Sequence, residues 1–410
     1  MKYLYFLCLA GFMLGQSGHV LSQVTINFDR KYQTIEGFGG FGPKKVWWSN
    51  TDQYYDSTYM DLIINDLGAN IIRTQLYWDF EPSNDNDNPD VINQGGFNFS
   101  STSNNGKQFP FMTDLDTVPE MKQIASIWTP PSWMKLDVDN SLASFCNGQC
   151  GGYLDPGKYD EFAEYCVAYV KTVKSETGVD LYGLSLQNEL LFANPFESCV
   201  YTPSQYAAVL DIVGKRFRKE GLKTKIFGPE HMGSYSGNVP LFDAIFKDTD
   251  AGKFLDIYAV HGYQDGVSPT TGTAPGWERM YDEVSSHGKE LWMTETSGYS
   301  TSWDGAFNLA YSVMLALKYG KISAWVHWYL SGNILVNNEP TRKFYALKSF
   351  YKYIRPGAVM IGADSEDSDI IPVAFRNDSK GMLTLVIMNM AETAKTTNLD
   401  FDLPENLQIY

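Results

Sequence analysis

From Gly37 to about Ile354 the chain alternates between two hydrophobic periodicities. Short apolar runs such as Ile124-Ala125-Ser126-Ile127 and Leu255-Asp256-Ile257-Tyr258-Ala259-Val260 suit strands buried on both faces. Between them lie longer segments with apolar residues at 3.6 spacing, the pattern of helices with one buried face. Eight strands are predicted, over Gly37–Gly42, Asn70–Trp78, Gln123–Pro130, Leu181–Glu189, Thr224–Glu230, Phe254–Tyr263, Glu290–Glu295 and Lys321–Leu330. After Pro156, the residues Tyr159, Phe162, Ala163, Cys166, Tyr169, Val170 and Val173 share one helical face, and Gly178 closes it. Thr202-Pro203-Ser204-Gln205 reads as a capping box with proline at the first helical position, followed by Tyr206, Leu210, Val213 and Phe217 on one face. Similar segments run over Tyr54–Leu67, Trp277–His287, Phe307–Tyr319 and Phe344–Ile354. The helices before the third and sixth strands are weaker, with Pro110 and Pro119 in one and only Leu241–Phe246 in the other. Strict alternation predicts an α/β fold, a closed (β/α)8 barrel. A doubly wound open sheet is the alternative, but no glycine-rich phosphate loop opens any helix.

The flanks read differently. Val24–Ile35 alternates around Asp29-Arg30-Lys31 as a hairpin would, and Ile370–Phe375 with Met382–Met390 reads as a second hairpin across 377–381. Both termini are therefore expected to contribute to a small side β-sandwich. The expected organisation is a signal peptide at 1–22, N-terminal sandwich strands at 23–36, the barrel at 37–355 and a short C-terminal sandwich portion at 356–410. The segment Glu81–Lys107, rich in Asn, Asp, Ser and Gly, is expected to form an excursion at the barrel top bordering the cleft.

Composition narrows the functional classes. The 410 residues suffice for one large barrel with an accessory domain. A formal charge of −16 argues against nucleic acid and anionic membrane partners, leaves a neutral polymer unopposed, and would require a local basic pocket for a polyanion. The 10 Trp, 26 Tyr and 24 Phe exceed the needs of a core; most are core residues, and the surplus suits rings that stack on the C–H faces of sugars. Lys2, the apolar run Tyr3–Leu14 and the small residues Val20 and Ser22 before Gln23 form a cleavable secretory signal, too short for a membrane span. A secreted or periplasmic monomer is expected. In such a compartment a Cys146–Cys150 disulfide is plausible, while the pairing of Cys166 and Cys199 stays open. The C-x3-C spacing lacks a nearby His and a second ligand pair, so neither metal nor cofactor is expected.

In a barrel, side chains at the C-terminal strand ends converge on one site. Those ends carry Arg73, Trp128, Asn188-Glu189, Glu230-His231, His261 with Tyr263, Glu295 and His327-Trp328. Glu189 and Glu295 close the fourth and seventh strands, so they face each other across the mouth. Paired carboxylates flanking a sugar are what glycosidic cleavage requires: one protonates the leaving oxygen, the other attacks C1 or activates water. Glu230-His231 reads as a rim pair without a catalytic role.

Four segments carry a resemblance to a known family: 33–40 (QTIEGFGG), 128–135 (WTPPSWMK), 185–189 (SLQNE) and 291–295 (LWMTE). With them the sequence resembles glycoside hydrolase family 30, a clan A family of retaining enzymes with a (β/α)8 barrel and a side β-sandwich, including xylanases, β-1,6-glucanases and glucosylceramidases. The resemblance implies Glu189 as general acid/base and Glu295 as nucleophile. Asn188 would hold the sugar 2-OH, Tyr263 would donate to Glu295, and Arg73 would lower the nucleophile's pKa. Trp128 and Trp328 would floor the central subsites, and His261 matches a His-x-Tyr position of the clan.

Phe196–Cys199 and Tyr351–Ala363 look most like the endo-xylanase branch, so endo-β-1,4-xylan is the expected substrate, ahead of β-1,6-glucan or galactan. Members that read a glucuronate carry an Arg just after the eighth strand. Here 328–333 (WYLSGN) has none, leaving Arg342 or Lys343 as substitutes. A non-catalytic carbohydrate-binding barrel is the alternative of another class, and retention of both glutamates argues against it.

Overall fold

The computed structural model describes residues 5–7, 22–42, 56–138, 149–193, 196–232, 235–263 and 274–402. The expected signal peptide apart from residues 5–7 and 22, Cys146, most of the loop Asp265–Trp277 and the last residues of the chain lie outside them. No helix among the described residues is long and apolar enough to cross a membrane.

The first long strand, β1 (Ser22–Thr34), belongs to the side sheet. The next eight close a parallel barrel: β2 (Gly37–Phe41), β3 (Ile71–Leu76), β4 (Lys122–Ile127), β5 (Gly183–Ser185), β6 (Lys225–Met232), β7 (Ile257–His261), β8 (Glu290–Glu295) and β9 (Ala324–His327), with β9 pairing back onto β2. Each is followed by a helix: α1 (Ser57–Met60, continuing as a π-helical turn over Asp61–Asp66), α2 (Phe109–Asp116), α3 (Tyr159–Thr177), α4 (Pro203–Lys219), α5 (Tyr235–Phe242), α6 (Ala274–Ser286), α7 (Trp303–Lys318) and α8 (Arg342–Tyr351). The two weak helices are present but short, and α5 carries Pro240 inside it.

Strand alternation sorts the core into two layers. Ile71, Ile124, Phe227, Ile257, Ala259, Trp292, Ala324 and Val326 fill the barrel interior. Their neighbours Ile72, Ala125, Leu184, Tyr258, Met293 and Trp325 point outward into the larger core beneath the helices. Each large apolar side chain so buried contributes about 1.5–3 kcal/mol. The predicted face of α3 is fully buried, and Thr202 and Gln205 form the capping box at α4. In β2, Gly39 lies so close to β3 that a Cβ there would stand 1.6 Å from the Ile71 carbonyl oxygen.

The side domain is a curled six-stranded sheet ordered Tyr5–Leu7, β12 (Met382–Asn389), β11 (Ile370–Asn377), β10 (Val359–Ser365), β1 and β13 (Thr397–Asp402). The expected hairpin β11–β12 is present. The expected turn at Asp29-Arg30-Lys31 is not. The Asn27 side chain accepts from the backbone N–H of Asp29 (3.0 Å) and Arg30 (2.9 Å), and the chain bulges there but continues in the same direction, slipping register against β10. Strands β10 and β13 were not anticipated.

The segment 81–107 also departs from expectation, for its anchors lie outside the cleft. Trp133 donates to the Glu81 carbonyl (2.9 Å), Phe97 packs at a tilt against Phe80, and Lys219 of α4 pairs with Asp90 (2.9 Å). Apolar anchors and ion pairs draw it over the helical ring, and none of its residues lines the cleft described below.

Candidate active site

The same alternation that fills the interior with Ile71, Ile124 and Ala259 directs Arg73, Ser126 and His261 inward at the top of the barrel. Arg73 is fully buried and organises the site. Its Nε donates to Ser126 Oγ (2.8 Å), one terminal nitrogen to Glu295, and the other to Asn188 Oδ1 (2.7 Å) and Glu230 Oε2 (3.2 Å). Trp128 lies under the guanidinium, 4.6 Å from ring centroid to Cζ.

Two bulges aim the acids. Opposite β7, the register passes from Met293 to Glu295 and omits Thr294, which brings Glu295 level with His261. On the other side it passes from Pro229 to His231 and omits Glu230. Glu189 and Glu230 both adopt left-handed backbone, with φ of 50° and 53°, linked by a hydrogen bond from Glu189 N–H to Glu230 C=O (3.1 Å). Such a conformation costs a non-glycine residue about 1–2 kcal/mol, and backbone strain of this kind clusters at functional sites.

Glu189 and Glu295 are 6 % and 5 % exposed. A carboxylate oxygen of each and a ring nitrogen of His261 all lie within 4.8 Å of one another. His261 Nδ1 is 3.1 Å from Glu189 Oε1 and 4.0 Å from Glu295 Oε1, and its Nε2 faces Glu230 at 3.4 Å. Tyr263 donates to Glu295 Oε1 (2.9 Å).

The charges are interdependent. Burial alone would discharge His261, but Glu295, Glu189 and Glu230 outweigh it and raise the imidazole to about 9. Burial would likewise raise Glu230, yet Arg73 and His261 hold it at about 2. Glu295 is pushed up by burial and by Glu189, more than His261 and Arg73 pull it down. Arg73 pulls this carboxyl down as expected, but burial outweighs it. The triplet Glu189–His261–Glu295 also has the spacing at which three ligand atoms could meet one metal ion.

An open cleft of about 270 Å³ lies above these groups. Every expected site residue is in or directly beneath it: Trp128, Asn188, Glu189, Tyr263, Glu295 and Trp328 line it, with Arg73 and His261 below. Trp128, Trp328 and Phe41 pack together, their ring centroids 4.4–5.8 Å apart. Glu230, expected on the rim, is instead fully buried in the ion network. His231 beside it is held near 4 by burial and by His261, with Glu189 opposing.

Other features of the site had not been anticipated. Phe192, Phe196 and Met232 add apolar walls. Glu197 accepts from Gln75 Nε2 (2.8 Å) and Trp78 Nε1 (3.0 Å), and Lys135 donates to Thr129 Oγ1 and to the carbonyls of Gln149, Gly151 and Ser198, tying down the loop that carries Phe196. Glu230 had a legible signal, its place at a strand end. The aromatic walls had none, because they stand on loops. Cys150 is disulfide-bonded, and Cys166 and Cys199 are free.

A (β/α)8 barrel with two facing carboxylates and an aromatic cleft at its C-terminal mouth has the architecture of a barrel glycosidase. The chain belongs to glycosyl hydrolase family 30: the model of that family's TIM-barrel domain matches residues 67–346. It is a glycoside hydrolase, similar to the glucuronoxylanase XynC of Bacillus subtilis (strain 168), with 25% identity over 391 residues, 92% of this chain and 80% of the relative. Among solved structures it resembles the family 30 subfamily 8 xylanase Xyn30A from Clostridium acetobutylicum (TM-score 0.71, 23% identity, covering 95% of this chain and 88% of that one). It equally resembles the endo-β1,6-glucanase BT3312 (TM-score 0.72, 21% identity, 94% and 90%).

Proposed function

We propose that this chain cleaves a β-linked polysaccharide by double displacement, with Glu295 as nucleophile and Glu189 as general acid/base. The observation that carries the reading is the approach of the two carboxyls to within 4.8 Å. Retaining enzymes hold theirs about 5–5.5 Å apart, whereas inverting ones need about 6.5–9.5 Å to admit a water. Glu295 attacks C1 while Glu189 passes its proton to the leaving oxygen. Glu189 then takes a proton from water, whose oxygen attacks C1 and releases Glu295.

The hydrogen bonds support this division. Glu295 accepts from both Arg73 and Tyr263, which favours its ionised form once a sugar covers the cleft. Glu189 Oε1 accepts from His261, so the transferable proton belongs on Oε2. Asn188, held by Arg73, is positioned for the sugar 2-OH, and Trp128 and Trp328 for the ring faces.

Within the family we assign the chain to endo-β-1,4-xylan. Its support is the B. subtilis relative, a glucuronoxylanase matched over most of both chains. A glucuronate-reading cation is not evident around the described cleft. Lys343 is buried and donates to the Tyr299 carbonyl (3.0 Å) and Asn333 Oδ1 (2.5 Å), and Arg342 turns toward the Thr301 carbonyl (3.5 Å). A panel of xylan, glucuronoxylan, β-1,6-glucan and galactan with product sizing tests the assignment. We expect xylo-oligosaccharides from xylan, and hydrolysis lost in Glu295→Gln with polymer binding kept. Release of gentiobiose-type products instead would reassign the substrate, and undiminished turnover by Glu295→Gln would remove the mechanism.

A further inference from the structure

We propose that the loop between β3 and α2, together with the first half of α3, holds a structural calcium ion through Glu81, Asp85, Glu161 and Glu164. The proposal is independent of the substrate assignment and of the catalytic site.

Its starting point is Glu164 on α3. The residue is 1 % exposed, and neither carboxylate oxygen accepts from an N–H or hydroxyl donor among the described residues; the group within its hydrogen-bonding reach is the Glu161 carboxyl, itself an acid. An ionised carboxylate in that position is strongly disfavoured unless a cation compensates it. Facing it from the loop are two acids with the same defect. Glu81, also 1 % exposed, accepts from the Asp85 backbone N–H through Oε1 (3.3 Å) and leaves Oε2 buried and bare. Asp85 accepts from Asn93 N–H (2.7 Å) and Asn86 Nδ2 (3.0 Å) through Oδ2 and leaves Oδ1 buried and bare. Glu161, one turn before Glu164, adds another bare buried oxygen. Each loop acid thus commits one oxygen to its own loop and leaves the other buried without a donor.

These groups act on one another: Glu81 feels Asp85, Glu164 and Glu161, and Glu164 feels Asp85 and Glu161. The cation acting on Glu164 is Arg216, which is already engaged with Glu220 (2.9 Å) and Asp90 (3.6 Å). A set of carboxylates on an Asn/Asp-rich loop (84–90, NDNDNPD), with no His or Cys, suits a hard divalent ion that takes many oxygens in flexible geometry. The cluster's acids do not form a ready triplet within 4.8 Å. The long glutamate side chains would close on the ion, which Mg²⁺, with its stricter octahedron, would do less well.

Such an ion would pin the excursion 81–107 onto α3. Trp133, whose indole donates to the Glu81 carbonyl (2.9 Å), lies close enough to sensitise terbium bound there. The full chain, stripped with EDTA, would be titrated with CaCl2 by calorimetry and with TbCl3 under tryptophan excitation. Binding of one calcium per chain is expected, with terbium emission that calcium displaces, and a melting temperature several degrees higher in excess calcium than in equal magnesium. Glu164→Gln should abolish the calcium-dependent rise without changing turnover. Should that variant fail to fold, Trp133→Phe should bind calcium normally while losing most terbium emission. No saturable calcium heat and no melting shift in the wild type would overturn the site and leave the acids protonated. A shift that survives Glu164→Gln, or terbium emission undiminished in Trp133→Phe, would place the ion elsewhere and overturn it equally.

Discussion

Arg73 distributes one positive charge over Glu295, Glu230 and Asn188, and His261 distributes another over Glu189, Glu230 and Glu295. Glu230 touches both cations, so we assign it a positioning role. His261, raised to about 9 from 6.5, contributes stability that is complete below pH 6.5 and lost as pH climbs through about 9. Glu230, lowered to about 2 from 4.5, contributes above pH 4.5 and loses its effect as pH falls through about 2. Melting temperature should therefore fall on the alkaline side, between pH 7 and pH 9. In Glu230→Gln that fall should be smaller and finish at lower pH, because one of three carboxylates sustaining the imidazolium is gone. Its kcat/KM should drop about 100-fold through misplacement of Arg73 and His261. An unchanged alkaline limb, measured by circular dichroism, would remove the role. Glu189→Ala should lose polymer hydrolysis, yet azide should restore turnover of an aryl xylobioside whose leaving group needs no proton. The product should be a β-glycosyl azide; an α-azide would mean inversion.

At the scale of elements, the barrel depends on how closely β2 approaches β3. A Cβ at Gly39 would meet the Ile71 carbonyl at 1.6 Å, and no rotamer relieves a clash with backbone. Gly39→Ala should cost about 3 kcal/mol or more in urea unfolding, beyond the range of ordinary core substitutions. Six helices and all eight barrel strands were legible because their apolar spacing is regular. The helix α5 was faint for a physical reason: Pro240 removes a hydrogen bond and only eight residues remain to show a face. The sequence around Asp29 mimics a turn, but Asn27 captures two backbone N–H groups and makes it a bulge.

For the whole molecule, the side sheet is fastened to the last two barrel helices. Lys318 of α7 donates to the carbonyls of Ala363 (2.8 Å) and Pro372 (3.0 Å), Gln33 of β1 donates to the Leu317 carbonyl (3.1 Å), and Thr384 of β12 to the Tyr353 carbonyl (2.8 Å). Met360, Val373, Phe375 and Val386 belong to the same continuous core as the barrel helices. Truncation after Gly357 would strand the Lys318 ammonium and uncover that apolar face. The shortened chain should show no cooperative melting transition by circular dichroism. A sharp transition near the full-length value would show that the barrel stands alone.

The amino-acid sequence by itself determined the order of strands and helices, and with it the barrel, because periodicity and caps are local properties. It also determined which residues stand at the strand ends, and so brought Arg73, Asn188, Glu189, His261, Tyr263 and Glu295 to one mouth. Only the tertiary structure decided how those residues are aimed. A side chain's face follows from strand register, and the bulges at Thr294 and Glu230 shift that register through pairing with β7, a neighbour no local pattern reveals. Charge state was settled in the same way. Burial and three converging carboxylates, drawn from separate strands, make His261 a cation and Glu230 its buried partner.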